Sequence, residues 1–357
     1  MQPEIKDTQK SDLLSLLPDE LEALVISLGE PKYRAKQLFA PMHDGIAPDD
    51  ITNIGKALKA KLDGVAYYSL PTVRRKLVSY LDGTVKYLFA LDDGNAVESV
   101  VMKYKHGNTI CISSQVGCRM GCAFCASTIG GKVRDLRPSE MLGQIIAAEK
   151  DTGERISNVV MMGIGEPLDN YQNVIKFLKL VNCEDGLNIG YRHISLSTCG
   201  LAERIDDLAR ENFPITLSIS LHASDDITRS SIMPVNKKYN IDRLLTACKN
   251  YYAATGRRIS FEYTLIAGKN DSKSAATALA DLLNSKLRSR TDTMPIHVNL
   301  IPVNPVTETE FSSSDKKAIS EFAATLEKKG VRATVRRTLG ADINASCGQL
   351  RRENEKI

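Results

Sequence analysis

Residues 109–125 read Thr109-Ile110-Cys111-Ile112-Ser113-Ser114-Gln115-Val116-Gly117-Cys118-Arg119-Met120-Gly121-Cys122-Ala123-Phe124-Cys125. A short β-type run, Thr109 to Ser113, passes into a loop that carries Cys118, Cys122 and Cys125. Three thiolates hold three irons of a 4Fe–4S cubane and leave the fourth without a protein ligand. An open iron is a place for another molecule to bind and be reduced. S-adenosylmethionine fits it, because its amino and carboxylate groups chelate iron while an electron cleaves the sulfonium. A structural zinc wants four closed ligands, typically as pairs. No second CxxC and no HxxxH occurs in the chain, so the zinc reading is weak. Electron carriers normally close all four irons, so three ligands point to chemistry instead.

Outward from this loop, strand-like runs alternate with amphipathic helices. Thr109 to Ser113 precedes a helix over Ser139 to Glu149, and Asn158 to Met162 precedes Tyr171 to Val181. His193 to Thr198 precedes Leu201 to Arg210, and Ile215 to Leu221 precedes Ile241 to Tyr252. Ile259 to Leu265 precedes Lys273 to Leu283, and His297 to Ile301 precedes Asp315 to Lys328. Val331 to Arg337 reads as a final strand. Such a series predicts an α/β fold, a partial (β/α)6 barrel of parallel strands. Ser139, Asp271–Ser272 and Ser314 are plausible helix N-caps.

The segment before it reads differently. Asp12 to Leu28, Tyr33 to Met42 and Pro48 to Leu62 carry helical spacing, followed by β-type runs at Val73 to Tyr80, Val85 to Leu91 and Val97 to Tyr104. Leu81-Asp82-Gly83 and Asp92-Asp93-Gly94-Asn95 mark hairpin turns between them. The expected organisation is a small α+β accessory region over 1–96, a barrel core over 97–342 and a C-terminal segment over 343–357.

In β/α barrels, ligands gather where the C-terminal ends of the strands open into loops. The unusual polar residues of this chain fall at such ends: Gly163-Ile164-Gly165-Glu166-Pro167, Ser197 and Thr198, Ser220-Leu221-His222, and Asn304. Singly, each reads as a turn glycine or a satisfied polar group. Beside a cluster loop they become contacts for the amino acid, ribose and adenine of the cofactor. Cys111 and Cys347 stand apart, the latter in Asp342-Ile343-Asn344-Ala345-Ser346-Cys347-Gly348-Gln349-Leu350. Each is either a buried filler or an active thiol. Cys183, Cys199 and Cys248 read as fillers.

The chain has 357 residues, 43% hydrophobic and 25% charged, ordinary for a globular protein. No apolar run reaches membrane-spanning length, and the polar stretch Met1 to Lys10 does not read as a signal peptide. Eight cysteines without an export signal point to a reducing compartment, so the expected location is cytoplasmic, with no membrane partner. A net charge of +4 permits an anionic partner without requiring one.

In combination, Cys111 through Cys125, Met161-Met162-Gly163-Ile164-Gly165-Glu166-Pro167, Ser218-Ile219-Ser220-Leu221-His222-Ala223, His297 through Pro305 and the Cys347 segment resemble the RlmN/Cfr family of radical-SAM RNA adenine methyltransferases. The resemblance implies that Cys118, Cys122 and Cys125 hold the cluster. It implies that Gly165, Glu166, Ser197, Ser220, Leu221, His222 and Asn304 line the S-adenosylmethionine site. It makes Cys347 the thiol that receives a methyl, Cys111 the thiol that later attacks Cys347 sulfur, and Glu98 an acidic residue placed as proton acceptor. Glu98 by itself reads as a solvent-facing strand residue. Asn344 and Ser346 stand where the family has Asp and Ala, and Cys199 replaces a usual apolar residue.

The implied chemistry explains these parts. Carbon 2 of adenine is too electron-poor to attack a sulfonium methyl. The family consumes two S-adenosylmethionine molecules, one to methylate the cysteine and one to give a radical that activates that methyl. Adduct formation with the base is followed by disulfide release, with the ring proton taken by Cys111 or Glu98. The implied substrates are an adenine of 23S ribosomal RNA and an adenine of transfer RNA, with an electron donor such as flavodoxin or ferredoxin. The alternative within the family is carbon 8 of the same ribosomal adenine, against which Glu166-Pro167-Leu168 speaks. Lys132, Arg134, Arg137, Arg336 and Arg337 are candidate phosphate contacts.

Overall fold

The computed structural model describes residues 10–288, 294–303 and 310–345. Ten strands form one sheet in sequence order. They are β1 Thr72–Val78, β2 Val85–Ala90, β3 Ala96–Tyr104, β4 Gly107–Cys111, β5 Ile156–Met161, β6 Ile194–Thr198, β7 Thr216–Ser220, β8 Ile259–Leu265, β9 Ile296–Pro302 and β10 Arg332–Val335. The ladders from β1 to β4 are antiparallel. Those from β4 to β10 are parallel. A helix stands between each pair of parallel neighbours: Pro138–Thr152, Tyr171–Val181, Ala202–Glu211, Ile241–Thr255, Lys273–Leu287 and Lys316–Lys328. Among the described residues no ladder joins β1 to β10, so the barrel is open. No described helix is long and apolar enough to cross a membrane.

Side-chain alternation along the strands separates two surfaces. Ile194 and Leu196 of β6, Leu217 and Ile219 of β7, and Val298 and Leu300 of β9 are buried in the main core with the helices. Val174, Phe177, Leu178 and Val181 of Tyr171–Val181 join them at helical spacing. Each such side chain contributes about 1.5–3 kcal/mol by leaving water. The alternate positions are polar: Ser195, Ser218, Ser260, Glu262, His297 and Asn299. Asn299 Nδ2 donates to Glu262 Oε2 at 2.7 Å, and Ser260 Oγ donates to Oε1 at 3.0 Å. A closed barrel fills its interior with branched apolar layers. A polar interior like this one keeps a cavity.

The three expected N-terminal helices occur, with shifted ends. The first starts at Pro18 after a single turn over Leu13–Ser15, which suits proline at the first helical position. The third is split into Pro48–Asp50 and Lys56–Val65 by Thr52-Asn53-Ile54-Gly55. The single turn Leu13–Ser15 docks on the barrel helix Pro138–Thr152, where Ser139 N donates to Ser15 Oγ at 2.9 Å and Ser139 Oγ to Asp12 Oδ2 at 2.5 Å. Ser139 is therefore a docking residue rather than a cap, and that helix begins at Pro138. Ser272 caps its helix as expected, while Asp315 takes the place expected of Ser314. The sheet runs without a break across the boundary expected at residue 96. Val85–Ala90 pairs with Ala96–Tyr104, Phe89 opposite Val97, around the Asp92–Asn95 turn.

Candidate active site

The three-cysteine loop is closed by a small ribbon, Gln115–Gly117 against Lys132–Asp135. Gly117 has φ +76°, and a Cβ there would lie 2.0 Å from Gly131 O, so only glycine fits. Cys118 N donates to Gly131 O at 3.0 Å and Ala123 N to Ile232 O at 2.8 Å, fixing both ends of the loop. Cys118, Cys122 and Cys125 line one cavity of about 200 Å³ at the C-terminal ends of β5, β6 and β7. Burial pushes the Cys118 thiol up to about 12 and raises Cys122 as well. Such thiols ionise only when a metal replaces the proton. Among the described residues no three His, Cys, Asp or Glu side chains gather around a single metal position. Soft donors spread around a cavity suit the separate irons of a cluster.

Opposite the loop, Gly165 (φ +107°) lets the chain pass against Gln115, whose Oε1 accepts from Glu166 N at 2.9 Å. Glu166 is 3% exposed. Its Oε2 accepts from Cys199 N at 2.7 Å and its Oε1 from Leu168 N at 3.0 Å. Burial raises its pKa, opposed by these bonds. Ser197 and Ser220 line the same cavity. His222 does too, in the left-handed conformation (φ 56°) that a non-glycine residue adopts only when held there. Thr264 N donates to His222 Nδ1 at 2.9 Å, so the ring proton sits on Nε2. Burial and Arg229 push its pKa down to about 3. Phe124 of the cluster loop meets the ring edge-on at 4.9 Å.

Leu221 departs from expectation. Its side chain is in the main core, its N donates to Glu262 O and its carbonyl accepts from Arg229 Nε. Strand alternation requires this, since Ser220 and His222 on either side face the cavity. Cys199 lines the cavity instead of merely filling the core.

Sequence reading also missed Arg229, which is fully buried. Its guanidinium donates to Leu221 O at 3.1 Å, Cys199 O at 2.7 Å, Ser220 O at 3.0 Å and Asn236 Oδ1 at 2.9 Å, tying the ends of β6 and β7 together. Glu262, another buried carboxylate on the cavity wall, was missed as well. An arginine on a short helix and a glutamate in a strand both read as surface residues until the fold is known.

A second cavity, of about 240 Å³, adjoins the first and shares Met162, Ile301 and Arg336 with it. Cys111 lines it, at the end of β4. Cys111 pairs with Val100 of β3, which pairs with Lys86 of β2. Glu98 lies two residues from Val100 and hence on the same face. Glu98 is 2% exposed and Lys86 1%, with Lys86 Nζ 3.1 Å from Glu98 Oε2. Glu98 is therefore buried in an ion pair, not facing solvent. Ala345 and Leu339 pack against Cys111, Val100 and Met102. Asn344, left-handed at φ 46°, offers its carbonyl to Lys86 Nζ at 2.9 Å. Cys347 and Asn304 lie outside the described residues.

Lys132 pairs with Asp135 and Asp169, Arg134 with Asp93 and Glu140, and Arg137 with Glu140 and Asp92. Expected as phosphate contacts, these three already face carboxylates. Arg336 and Arg337 line the second cavity, and neither forms an ion pair among the described residues.

The radical SAM superfamily model matches residues 112–279, and the model of the ribosomal RNA large subunit methyltransferase N-terminal domain matches 11–67. A relative from Alkaliphilus oremlandii, "Probable dual-specificity RNA methyltransferase RlmN", is 52% identical over 97% of this chain and 99% of its own length. One of the same name from Clostridium acetobutylicum is 52% identical over 93% of this chain and 94% of its own. The crystal structure of a radical SAM methyltransferase from Sphaerobacter thermophilus superposes with a TM-score of 0.88, at 40% identity over 95% of this chain and 98% of that one. With three cysteines facing a strand-end cavity and near-complete alignment to such relatives, the chain is a radical-SAM methyltransferase and belongs to the RlmN family.

Proposed function

We propose that this enzyme methylates carbon 2 of an adenine in 23S ribosomal RNA, at the peptidyl-transferase centre, and of the adenine beside the anticodon in transfer RNA. The observation that carries this reading is the pair of adjoining cavities. One is lined by three thiols, Cys118 and Cys122 buried and Cys125 half-buried, and the other holds Cys111 beside Glu98 and the start of the Cys347 segment. Cys118, Cys122 and Cys125 would hold a 4Fe–4S cluster, and Gly165, Glu166, Ser197, Ser220, His222 and Asn304 would hold S-adenosylmethionine. When bound, these groups supply the methyl and a hydrogen-abstracting radical, the electron coming from a donor such as flavodoxin or ferredoxin.

The chain's own residues do the rest. Cys347 takes the methyl as a thioether. The neutral ring of His222, with Nε2–H directed away from Thr264, offers a hydrogen-bond donor without adding charge. Arg336 and Arg337 stand at the second cavity for the phosphates of an unstacked nucleotide. Glu98 accepts the ring proton. Cys111 thiolate then attacks Cys347 sulfur, forming a disulfide; the electron pair of the broken sulfur–carbon bond stays on the methylene carbon, which takes a proton to become the product's methyl. A thiol reductant must reset the pair before the next turnover.

Mass spectrometry of ribosomal and transfer RNA from a strain lacking the gene, with and without its return, tests the reading. Carbon-2 methyladenosine should vanish from both RNAs and reappear on complementation. Its loss from ribosomal RNA alone would remove transfer RNA as substrate, and a carbon-8 methyl in its place would refute the assignment.

A further inference from the structure

We infer that Lys86 is a positioning residue, whose single ammonium holds both the Glu98 carboxylate and the backbone leading to Cys347. The inference rests on the proposed roles of Glu98 and Cys347. Lys86 Nζ lies 3.1 Å from Glu98 Oε2 and donates to Asn344 O at 2.9 Å, and both side chains of the ion pair are at most 2% exposed. The partners come from distant parts of the chain, 258 residues separating Lys86 from Asn344. An ammonium has three donors and no acceptor, so one group can serve both.

The same hairpin makes further contacts with that backbone. Ser79 Oγ donates to Asp342 Oδ1 at 2.6 Å, Tyr80 N to Asp342 Oδ2 at 3.0 Å, and Gly340 N to Asp82 Oδ2 at 2.9 Å. The turn between β1 and β2 thus fastens the outer end of the 340–345 segment, and Lys86 fastens its inner end near Cys111. Stability alone is a poor reason for such a pair. Desolvating two charges is costly, and apolar replacements of similar volume often do as well or better. What the pair provides is placement. It holds a carboxylate on the face that carries Cys111, and it sets the height at which the segment enters the cavity.

The test separates methyl loading from product release. Full-length Lys86→Met, Lys86→Arg and Glu98→Gln enzymes are reconstituted. Iron content, S-methylcysteine at position 347 and covalent RNA adduct are then measured by mass spectrometry and gel shift. Lys86→Met should load less methyl, having lost one hold on the backbone leading to Cys347, and then release product about 100-fold more slowly, the contribution of a positioned base, with adduct accumulating. Lys86→Arg, keeping cation and donors, should recover most of that rate. If Lys86→Met does not fold, Lys86→Gln takes its place and the same split is expected. Product release at the normal rate in the uncharged variant would overturn the inference, as would an equal defect in Lys86→Arg, which would point to packing volume. Glu98→Gln acts as the separate control. Normal release there refutes the proton-acceptor reading, whereas stalled Glu98→Gln beside normal Lys86→Met refutes only the role given to Lys86.

Discussion

Replacing Arg229 by Met should loosen the floor of the candidate active site without touching a proposed ligand. The guanidinium is 0% exposed and donates to four backbone carbonyls and one amide oxygen, at 2.7 to 3.4 Å. Hydrogen bonds from a charged donor contribute about 1.5–3 kcal/mol each, and they do not add fully. Methionine retains the aliphatic stem, which offsets part of the loss. Removing the buried charge also returns its desolvation cost, the effect that lowers its pKa. A net loss of about 3–4 kcal/mol follows, within the range for deleting one member of a buried polar network. For a chain of this size that is a fall of roughly 4–5 °C in the thermal midpoint, read by calorimetry on the cluster-free protein. Arg229→Lys, with three donors on a point charge, should lose about half as much. Arg229 also favours the thiolate of Cys122 electrostatically, so Arg229→Met should retain less iron after desalting. A midpoint within 2 °C of the parent, together with unchanged iron retention, would refute the argument that this side chain ties β6 to β7.

Cys111→Ala should load the methyl, attack RNA and stall, so that it purifies with RNA attached through Cys347; free enzyme with normal turnover would return Cys111 to a filler role. Gly117→Ala places a Cβ 2.0 Å from Gly131 O at φ +76°, and should cost about 2–4 kcal/mol and abolish iron uptake, measured by urea unfolding and iron analysis. His222 has its folded-state pKa depressed to about 3, so its neutral form is favoured by folding. That contribution is complete above about pH 6.5 and declines as pH falls toward 3, reaching a few kcal/mol. Urea midpoints at pH 4.5 and 7.5 should therefore differ less in His222→Gln than in the parent. Cys118→Ala, Cys122→Ala and Cys125→Ala should each fail to bind a full cluster, whereas an unchanged spectrum in any one would remove that thiol from the ligand set.

The β/α series and the cluster loop were legible in the chain because both are local. Periods of two and near four residues reveal which segments can bury one face, and Cys118, Cys122 and Cys125 fall within eight residues of one loop. Gly165, Glu166, Ser197, Ser220 and His222 at the strand ends followed from the same rhythm and line one cavity with the cysteines. Alternation alone turns the Leu221 side chain into the core, away from the cavity that its neighbours Ser220 and His222 line. Other features had no local signature. Glu98 and Lys86 each look solvent-exposed in a strand, and only ladder register puts them on the face of Cys111. Only the return of residues 340–345 over that face completes their burial. Lys132 and Arg134 looked free until Asp169 and Asp93 were brought to them from elsewhere in the chain, while Glu140, close in sequence, pairs with Arg134 and Arg137. Charge and burial are set by which distant residues share a surface, and a one-dimensional pattern fixes faces within an element but not the neighbours across it.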